Sequence, residues 1–437
     1  MDADAIVIGA GAAGLAAARS LAARSLRTIV LEARDRTGGR VWTGPPAHAG
    51  VPAELGAEFI HGPAPETRAL LRDAGASAVD TGGESWSVGP GGELMRAEDF
   101  LTALDIFEGA STLAADESVE RYLQRFVNDH AMRTAVERAR AFVEGFDAAD
   151  PAIASVRGIA DEWHSGVDET SARPLGGYAP MFDRLIDAGD ALGVQRQLST
   201  IVRRISWRRG SVTVEATSNG EPRTLRARAA VVTLPAGVLR HAGDESAVVF
   251  DPGLPAAKRA ALHAIEMGHA VKVALWFRTA FWEELRGGRY REAGFFRCPG
   301  KPFPAYWTQL PVRSPLIAAW AGGPTALALE GASPAELIER ALEGFGALFG
   351  EVALAHREFE GGVMHDWSDD PFARGAYSYL SVGAADARAV LAAPLDDTLF
   401  FAGEATSNDG QGGTVNGALE TGERAAREAA AALAPRT

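Results

Sequence analysis

The chain of 437 residues carries 43 Lys and Arg against 57 Asp and Glu, a formal net charge of −14. That balance argues against a nucleic-acid partner, while a diffuse acidic surface also attracts cationic small molecules. One cysteine, Cys298, excludes internal disulfides and thiolate-cluster metal sites, and the nine histidines never fall at metal-ligand spacing, so no metal is expected. With 47% hydrophobic residues the chain can bury one large core or two. A first strand from about Ala5 leaves no room for a signal peptide, and the final AAREAAAALAPRT is too short and charged to span a bilayer. The expectation is a soluble cytoplasmic protein with no membrane partner and no assigned oligomeric state.

The chain opens with DAIVIGAGAAGLAAARSLAARSLRTIVLEARDRTGGR. An apolar run from Ala5 to Ile8 meets Gly9, Gly11 and Gly14, then an alanine-rich helical segment, then a second strand ending at Glu32. Gly9 permits the tight turn, Gly11 lets backbone approach a pyrophosphate, and Gly14 lets the helix pack on the strand. The helix start offers free N–H groups to the phosphates, and Glu32 can accept hydrogen bonds from an adenosine ribose. These features predict a dinucleotide site without choosing between NAD and FAD.

Thr37-Gly38-Gly39-Arg40 follows directly, and this GGR segment resembles the second glycine pair of the FAD-binding amine oxidase superfamily. The resemblance implies an α/β fold: a Rossmann-like FAD-binding domain interleaved with an α+β substrate-binding domain. It sets Gly9, Gly11, Ala13, Gly14, Glu32, Arg34, Gly39 and Arg40 against the cofactor, the two arginines through charge-assisted contacts. It continues through most of the chain. AELGAEFIHG, 53 to 62, is similar to the flavin-facing loop of polyamine oxidases, with Gly56 and Ala57 beside the ring and Glu58 and His61 in the cavity. Both are candidates to hold a distant amino group of a di- or polyamine, with plain loop structure an equal reading for Glu58. PLGGYAPMFDRL, 174 to 185, matches the family's Gly-Gly entry into a helix, LSTIVRRI, 198 to 205, carries Val202 by the adenine, and AAVVTLPAGVL, 229 to 239, is the next strand of the nucleotide domain.

In GHAVKVALWF, 268 to 277, Lys272 shares one strand face with Ala270, Ala274 and Trp276, while Val271, Val273, Leu275 and Phe277 share the other. By itself this reads as a lysine reaching solvent from a half-exposed strand. The resemblance implies instead a buried amine that holds a water against the flavin N5 and assists reaction with oxygen. Residues 97 to 163 carry apolar residues at helical spacing, and 270 to 322 read as an aromatic-rich sheet.

HDWSDDPFARGAYSYL, 365 to 380, and LFFAGEATSNDGQGGTVNGALETGERAA, 399 to 426, resemble polyamine oxidases and lysine-specific histone demethylases at nearly every punctuating position. By that pattern Gly403 and Glu404 contact the FAD, the Thr414-Val415 backbone faces the pyrimidine edge, Tyr377 is an aromatic wall of the substrate site, and Trp367 packs on the ring, with core packing an even alternative for Trp367. Ala376 stands where monoamine oxidases carry a flavin-linking cysteine, so FAD is expected to be non-covalent. Thr414 stands where a second wall tyrosine occurs in monoamine oxidases, which makes the cage one-sided.

The expected domains are 1–75, 175–250 and 380–437 for FAD, and 76–174 and 251–379 for substrate. The expected activity is hydride transfer from an amine α-carbon to flavin N5, giving imine, then aldehyde, and hydrogen peroxide, with molecular oxygen and a small-molecule amine as the partners. An L-amino-acid oxidase, a flavin desaturase of the same superfamily and a non-catalytic FAD-bound module are the alternatives.

Overall fold

The computed structural model describes the chain except residues 47–49, 90, 98–104, 167–170, 245 and 435–437. A five-stranded parallel sheet runs in the order Gln195–Gln197, Thr28–Leu31, Ala5–Ile8, Ala229–Val232, Leu399–Phe401. Its central strands are buried at every position, and apolar except for Thr28, because both faces are covered. Alternation sorts the side chains. Ala5, Val7, Val30, Val231 and Phe400 pack against the helices Ala12–Ala22, Ala179–Ala191 and Val415–Leu433. Ile6, Ile8, Ile29, Leu31, Val232 and Phe401 pack against the opposite layer, where Val202, Ile205, Val212 and Val214 come from an antiparallel meander, Thr200–Arg208, Ser211–Ser218 and Glu221–Ala227.

Two close approaches fix the first helix. A Cβ on Gly14 would lie 1.9 Å from the Gly9 carbonyl oxygen, and one on Gly422 would lie 2.2 Å from that of Ala13. Neither neighbour is a side chain that could move aside. Gly9 itself has φ +105°, a conformation glycine alone adopts easily.

The second unit is built on a seven-stranded mixed sheet, in the order Phe359–Asp366, Ala270–Phe277, Leu316–Gly322, Ala305–Trp307, Ala293–Arg297, Glu84–Val88, Leu94–Arg96. One face, with Val271, Val273, Leu275, Phe277, Ile317 and Ala319, packs on Phe345 and Phe349 of the helix Pro334–Phe349. A capping box at Ser333 and Glu336 starts that helix, and Gly350 at φ 73° ends it. The other sheet face, which carries Lys272, looks toward the nucleotide domain. The helices Val119–Leu123, Arg133–Gly145 and Val156–His164 supply a further core. They fall within the stretch expected to be helical, of which residues 98–104 lie outside the described residues.

Two features bear on the expected domain layout. The substrate sheet draws strands from Glu84–Val88 and Phe359–Asp366 as well as from 270 to 322. The expected boundary at 250 falls inside the strand Val249–Asp251, which pairs with the meander. Leu254, Ala261, Leu262, Ile265 and Met267 then join the nucleotide-side core, and Lys258 donates to the carbonyls of Val390, Leu391 and Ala393 at 3.0, 2.7 and 2.7 Å, closing the helix Ala387–Ala392. Among the described residues no helix is long and apolar enough to cross a membrane.

Candidate active site

A cavity of about 1930 Å³ runs between the two sheets. At one end lie Gly9, Gly11, Ala13, Glu32, Arg34, Gly39 and Arg40, with Val202 beside them. Gly11 is the N-cap of the helix Ala12–Ala22 and offers no side chain, so the first-turn N–H groups stay open to an anion. The second glycine pair folds onto the first. Gly39, at φ +59°, would set a Cβ 3.4 Å from the Gly11 Cα, and Gly11 and Gly38 are bridged as in a parallel sheet. Gly14 does not reach the cavity wall; it serves the helix–strand contact. Glu32 is buried, its two carboxylate oxygens accepting from the Ala10 N–H at 2.8 Å and the Arg34 N–H at 2.9 Å. These bonds aim the carboxylate and leave further lone pairs for hydroxyl donors.

Arg34 is engaged by the protein itself, at 2.7 Å from Asp370, which also contacts His365 at 3.0 Å. Burial alone would raise Asp370, but His365 and Arg34 hold its carboxyl well below the usual range. Arg34 lines the cavity with one guanidinium nitrogen committed to Asp370 and another 3.9 Å from Glu32.

A second polar system closes the middle of the cavity. Arg40 donates to Glu404 and to the Ala376 carbonyl, each at 2.8 Å. The other Glu404 oxygen accepts from the Ser378 hydroxyl at 2.6 Å and the Gly413 N–H at 3.1 Å. Burial pushes this carboxyl up, yet Arg40 and Arg388 outweigh it and hold Glu404 below its ordinary pKa. Gly403, at φ +123°, turns the chain from the strand into this contact. Thr414 caps the helix Val415–Leu433 by accepting from the Gly417 N–H at 2.9 Å and donates to Gln411 at 2.8 Å, so its hydroxyl is engaged in starting the helix. Thr414 and Val415 line the cavity, as does Tyr377, whose ring packs on Gly413 and whose hydroxyl donates to the Phe146 carbonyl.

Trp367 is buried against the loop 53–62, its indole N–H donating to the Leu55 carbonyl at 2.9 Å. Gly56 permits this, since a Cβ there would stand 1.9 Å from the Arg40 carbonyl oxygen and 3.1 Å from the Trp367 ring. Trp367, Gly56 and Ala57 all reach the cavity. The same loop sends Glu58 and His61 inward. His61 stands 4.8 Å from the Phe146 ring, and burial lowers its pKa to about 4, so it is neutral at pH 7.

Glu58 is drawn into a network of buried charges. Its carboxylate forms an ion pair with Lys272 through one oxygen, while the other accepts from the Trp307 indole at 3.0 Å and lies 2.9 Å from Arg173. Three protein donors thus share its two oxygens on the cavity wall. Burial would raise Glu58, but Lys272 and Arg173 hold it down. Lys272 is 3% exposed, 3.3 Å from the Gly56 carbonyl and 5.5 Å above the Trp307 ring, so the half-exposed reading of the strand pattern does not hold. Arg173, Trp307, Asp370 and Arg388 were not anticipated as site residues. Arg173 sits in the short strand Ser171–Pro174 beside Ile60–His61, a pairing that no local pattern announces.

The chemistry of this wall fits a dinucleotide at one end and a small organic molecule at the other. Against known families, residues 12–430 match the model for flavin containing amine oxidoreductases. The chain belongs to that family. FAD is therefore the cofactor of this amine oxidase, and the Gly11–Gly39 cradle with Glu32 is the part of the structure that fits it. The chain is 28% identical to polyamine oxidase 4 of Oryza sativa subsp. japonica, across 97% of this chain and 88% of that protein. It is also 28% identical to lysine-specific histone demethylase 1 homolog 3 of Arabidopsis thaliana, across 96% of this chain but 29% of that longer protein. In structure it resembles wild-type putrescine oxidase bound to putrescine, with a TM-score of 0.78, 23% identity and 98% of each chain covered. Cyclohexylamine oxidase from Brevibacterium oxydans gives a TM-score of 0.78 at 23% identity, covering 99% of each chain. The one cysteine of this amine oxidase, Cys298, is buried, donates to the Phe303 carbonyl, has its thiol pushed up to about 12 by burial and does not line the cavity, so a cysteinyl link to the flavin has no donor.

Proposed function

We propose that this amine oxidase acts on small aliphatic amines, di- or polyamines among them, with oxygen as the electron acceptor. The observation that carries the reading is the continuity of the cavity from the dinucleotide cradle at Gly11 and Glu32 to an enclosure formed by Phe142, Phe146, Trp163 and Tyr377. When bound, FAD supplies the two-electron acceptor for the hydride of the amine α-carbon and passes the electrons to oxygen, which leaves as hydrogen peroxide. The chain has other tasks. The aromatic walls desolvate the amine, which disfavours its charged form and frees the nitrogen lone pair that must push as hydride departs. They also tolerate a cation during entry. His61, being neutral at pH 7, adds no repulsion to an arriving ammonium. Tyr377, its hydroxyl tied to Phe146, presents a fixed ring face opposite Gly413 and Thr414. Lys272, anchored by Glu58, places a cationic group at the loop that carries Gly56 and Ala57, and we assign it the assistance of oxygen reduction. The imine product takes up water and releases an aldehyde and the amine or ammonia.

An amino-acid oxidase requires a free cation for the substrate carboxylate. Two buried cations of this region, Lys272 and Arg173, are both engaged by Glu58, so neither stands free for a substrate carboxylate. The test is aerobic: the FAD-loaded protein is incubated with monoamines, diamines, polyamines and L-amino acids, and peroxide and aldehyde are measured together. Equal amounts of both from amines support the reading. Peroxide from amino acids alone would replace it.

A further inference from the structure

Four buried acids line the cavity among the described residues: Glu32, Glu58, Asp147 and Glu404. Glu58 faces Lys272 and Arg173, Glu404 faces Arg40 and Arg388, and Glu32 accepts two backbone N–H groups with Arg34 nearby at 3.9 Å. Asp147 differs. It is 7% exposed, and its buried Oδ2 has no hydrogen-bond partner. The charged group acting on it is another acid, Glu162, whose own partner is Arg388 at 2.9 Å. A buried carboxylate with neither donor nor counter-ion is costly to keep, so its presence on a cavity wall calls for a ligand.

The surroundings define which ligand. Asp147 follows the end of the helix Arg133–Gly145, next to Phe146, whose carbonyl holds the Tyr377 hydroxyl. The Phe146 ring lies 4.6 Å from Phe142 and 5.6 Å from Trp163, and all of these rings line the same enclosure. Aromatic faces around an unpaired carboxylate select an organic cation: the faces accept positive charge and exclude water, and the carboxylate supplies the ion pair. The aromatic walls favour the neutral nitrogen that oxidation requires, and the Asp147 carboxylate adds the counter-ion that keeps a second nitrogen charged beside it. We propose that Asp147 binds the non-reacting ammonium of a diamine or polyamine and so makes this amine oxidase discriminate against monoamines. The assignment rests on the amine oxidase reading above and replaces Glu58 as the residue for the distant amino group. In the empty cavity, burial and Glu162 raise the Asp147 carboxyl well above its usual pKa, so the bound ammonium takes the place of a proton.

The test compares Asp147→Asn with the wild type, both FAD-loaded and full length, using 1,4-diaminobutane and butylamine as probes of equal chain length. The ratio of kcat/KM for diamine over monoamine is expected to fall about 100-fold in Asp147→Asn and to recover in part in Asp147→Glu. Calorimetry on the dithionite-reduced holoenzyme is expected to show a similar weakening of diamine binding without turnover. An unchanged ratio, or equal losses for both probes, would overturn the proposal. Should the Asn variant fail to load flavin, the reduced wild type must still bind the diamine at least about 10-fold more tightly than butylamine, and equal binding refutes the assignment. If the diamine binds through Asp147 yet no amine is oxidised, the binding site stands and the oxidase reading falls. If amines are oxidised and the ratio does not move, the reverse holds.

Discussion

Glu58 and Lys272 meet in a buried ion pair across the cavity wall, one from the loop 53–62 and the other from the strand Ala270–Phe277 of the substrate sheet. Arg173 shares the carboxylate, so one acid holds two cations. Glu58→Ala leaves both buried cations unpaired and is expected to destabilise the protein by about 3–5 kcal/mol, measured by urea unfolding of the FAD-loaded form. A loss under about 1 kcal/mol would show that water or movement relieves the site.

Lys272→Met should cost less stability than Glu58→Ala, because Glu58 keeps Arg173 and Trp307 as partners. Its functional signature is different in kind. Reduction of the flavin by amine without oxygen is expected to change by less than about threefold, while reoxidation in air slows by more than about tenfold. Equal slowing of both half-reactions would assign the lysine a structural role only.

The glycines separate folding from cofactor binding. Gly14→Ala drives a methyl group to within 1.9 Å of the Gly9 carbonyl oxygen, so the strand and helix must part and the protein should lose stability even without flavin. Gly11→Ala meets no atom of the protein closer than 3.9 Å but lies on the cavity wall. The apo-protein should melt near the wild-type temperature and bind FAD at least about tenfold more weakly, because the methyl blocks close approach of a pyrophosphate. Similar apo melting temperatures for the two variants would contradict this division.

Glu404 sets a pH dependence. Its pKa in the folded protein is depressed below the ordinary 4.5, so it contributes stability that is present above about pH 4.5 and is lost as pH falls through the folded value. Glu404→Gln should therefore be less stable than wild type at pH 7 and show a shallower loss below pH 4.5. Urea midpoints from pH 7 to pH 3 check the sign; parallel curves would remove Glu404 from the acid response.

Much of this architecture is visible in local sequence. Ala5 to Ile8 before three spaced glycines, with an acid closing the next strand, carries enough local information to place the dinucleotide end. Strand alternation in GHAVKVALWF separates Lys272 from the face that packs on Phe345. What it leaves open is whether that second face is wet. Burial of Lys272 depends on Glu58, which arrives from a distant segment beside the strand pairing of Ile60–His61 with Ser171–Pro174. For the same reason Glu58 reads in the sequence as a substrate ligand or, equally, as loop structure, and in the fold as a lysine partner. Asp147 has no motif around it. Its significance is the absence of a neighbour, and only the packed structure can show that.

The measurement that tests the central claim most directly is the loss of oxidised-flavin absorbance on anaerobic mixing of the FAD-loaded protein with 1,4-diaminobutane. The account predicts a rapid bleaching that saturates with diamine concentration, is slower with butylamine, and is reversed when oxygen is admitted. A fully loaded flavin that no amine bleaches would contradict it.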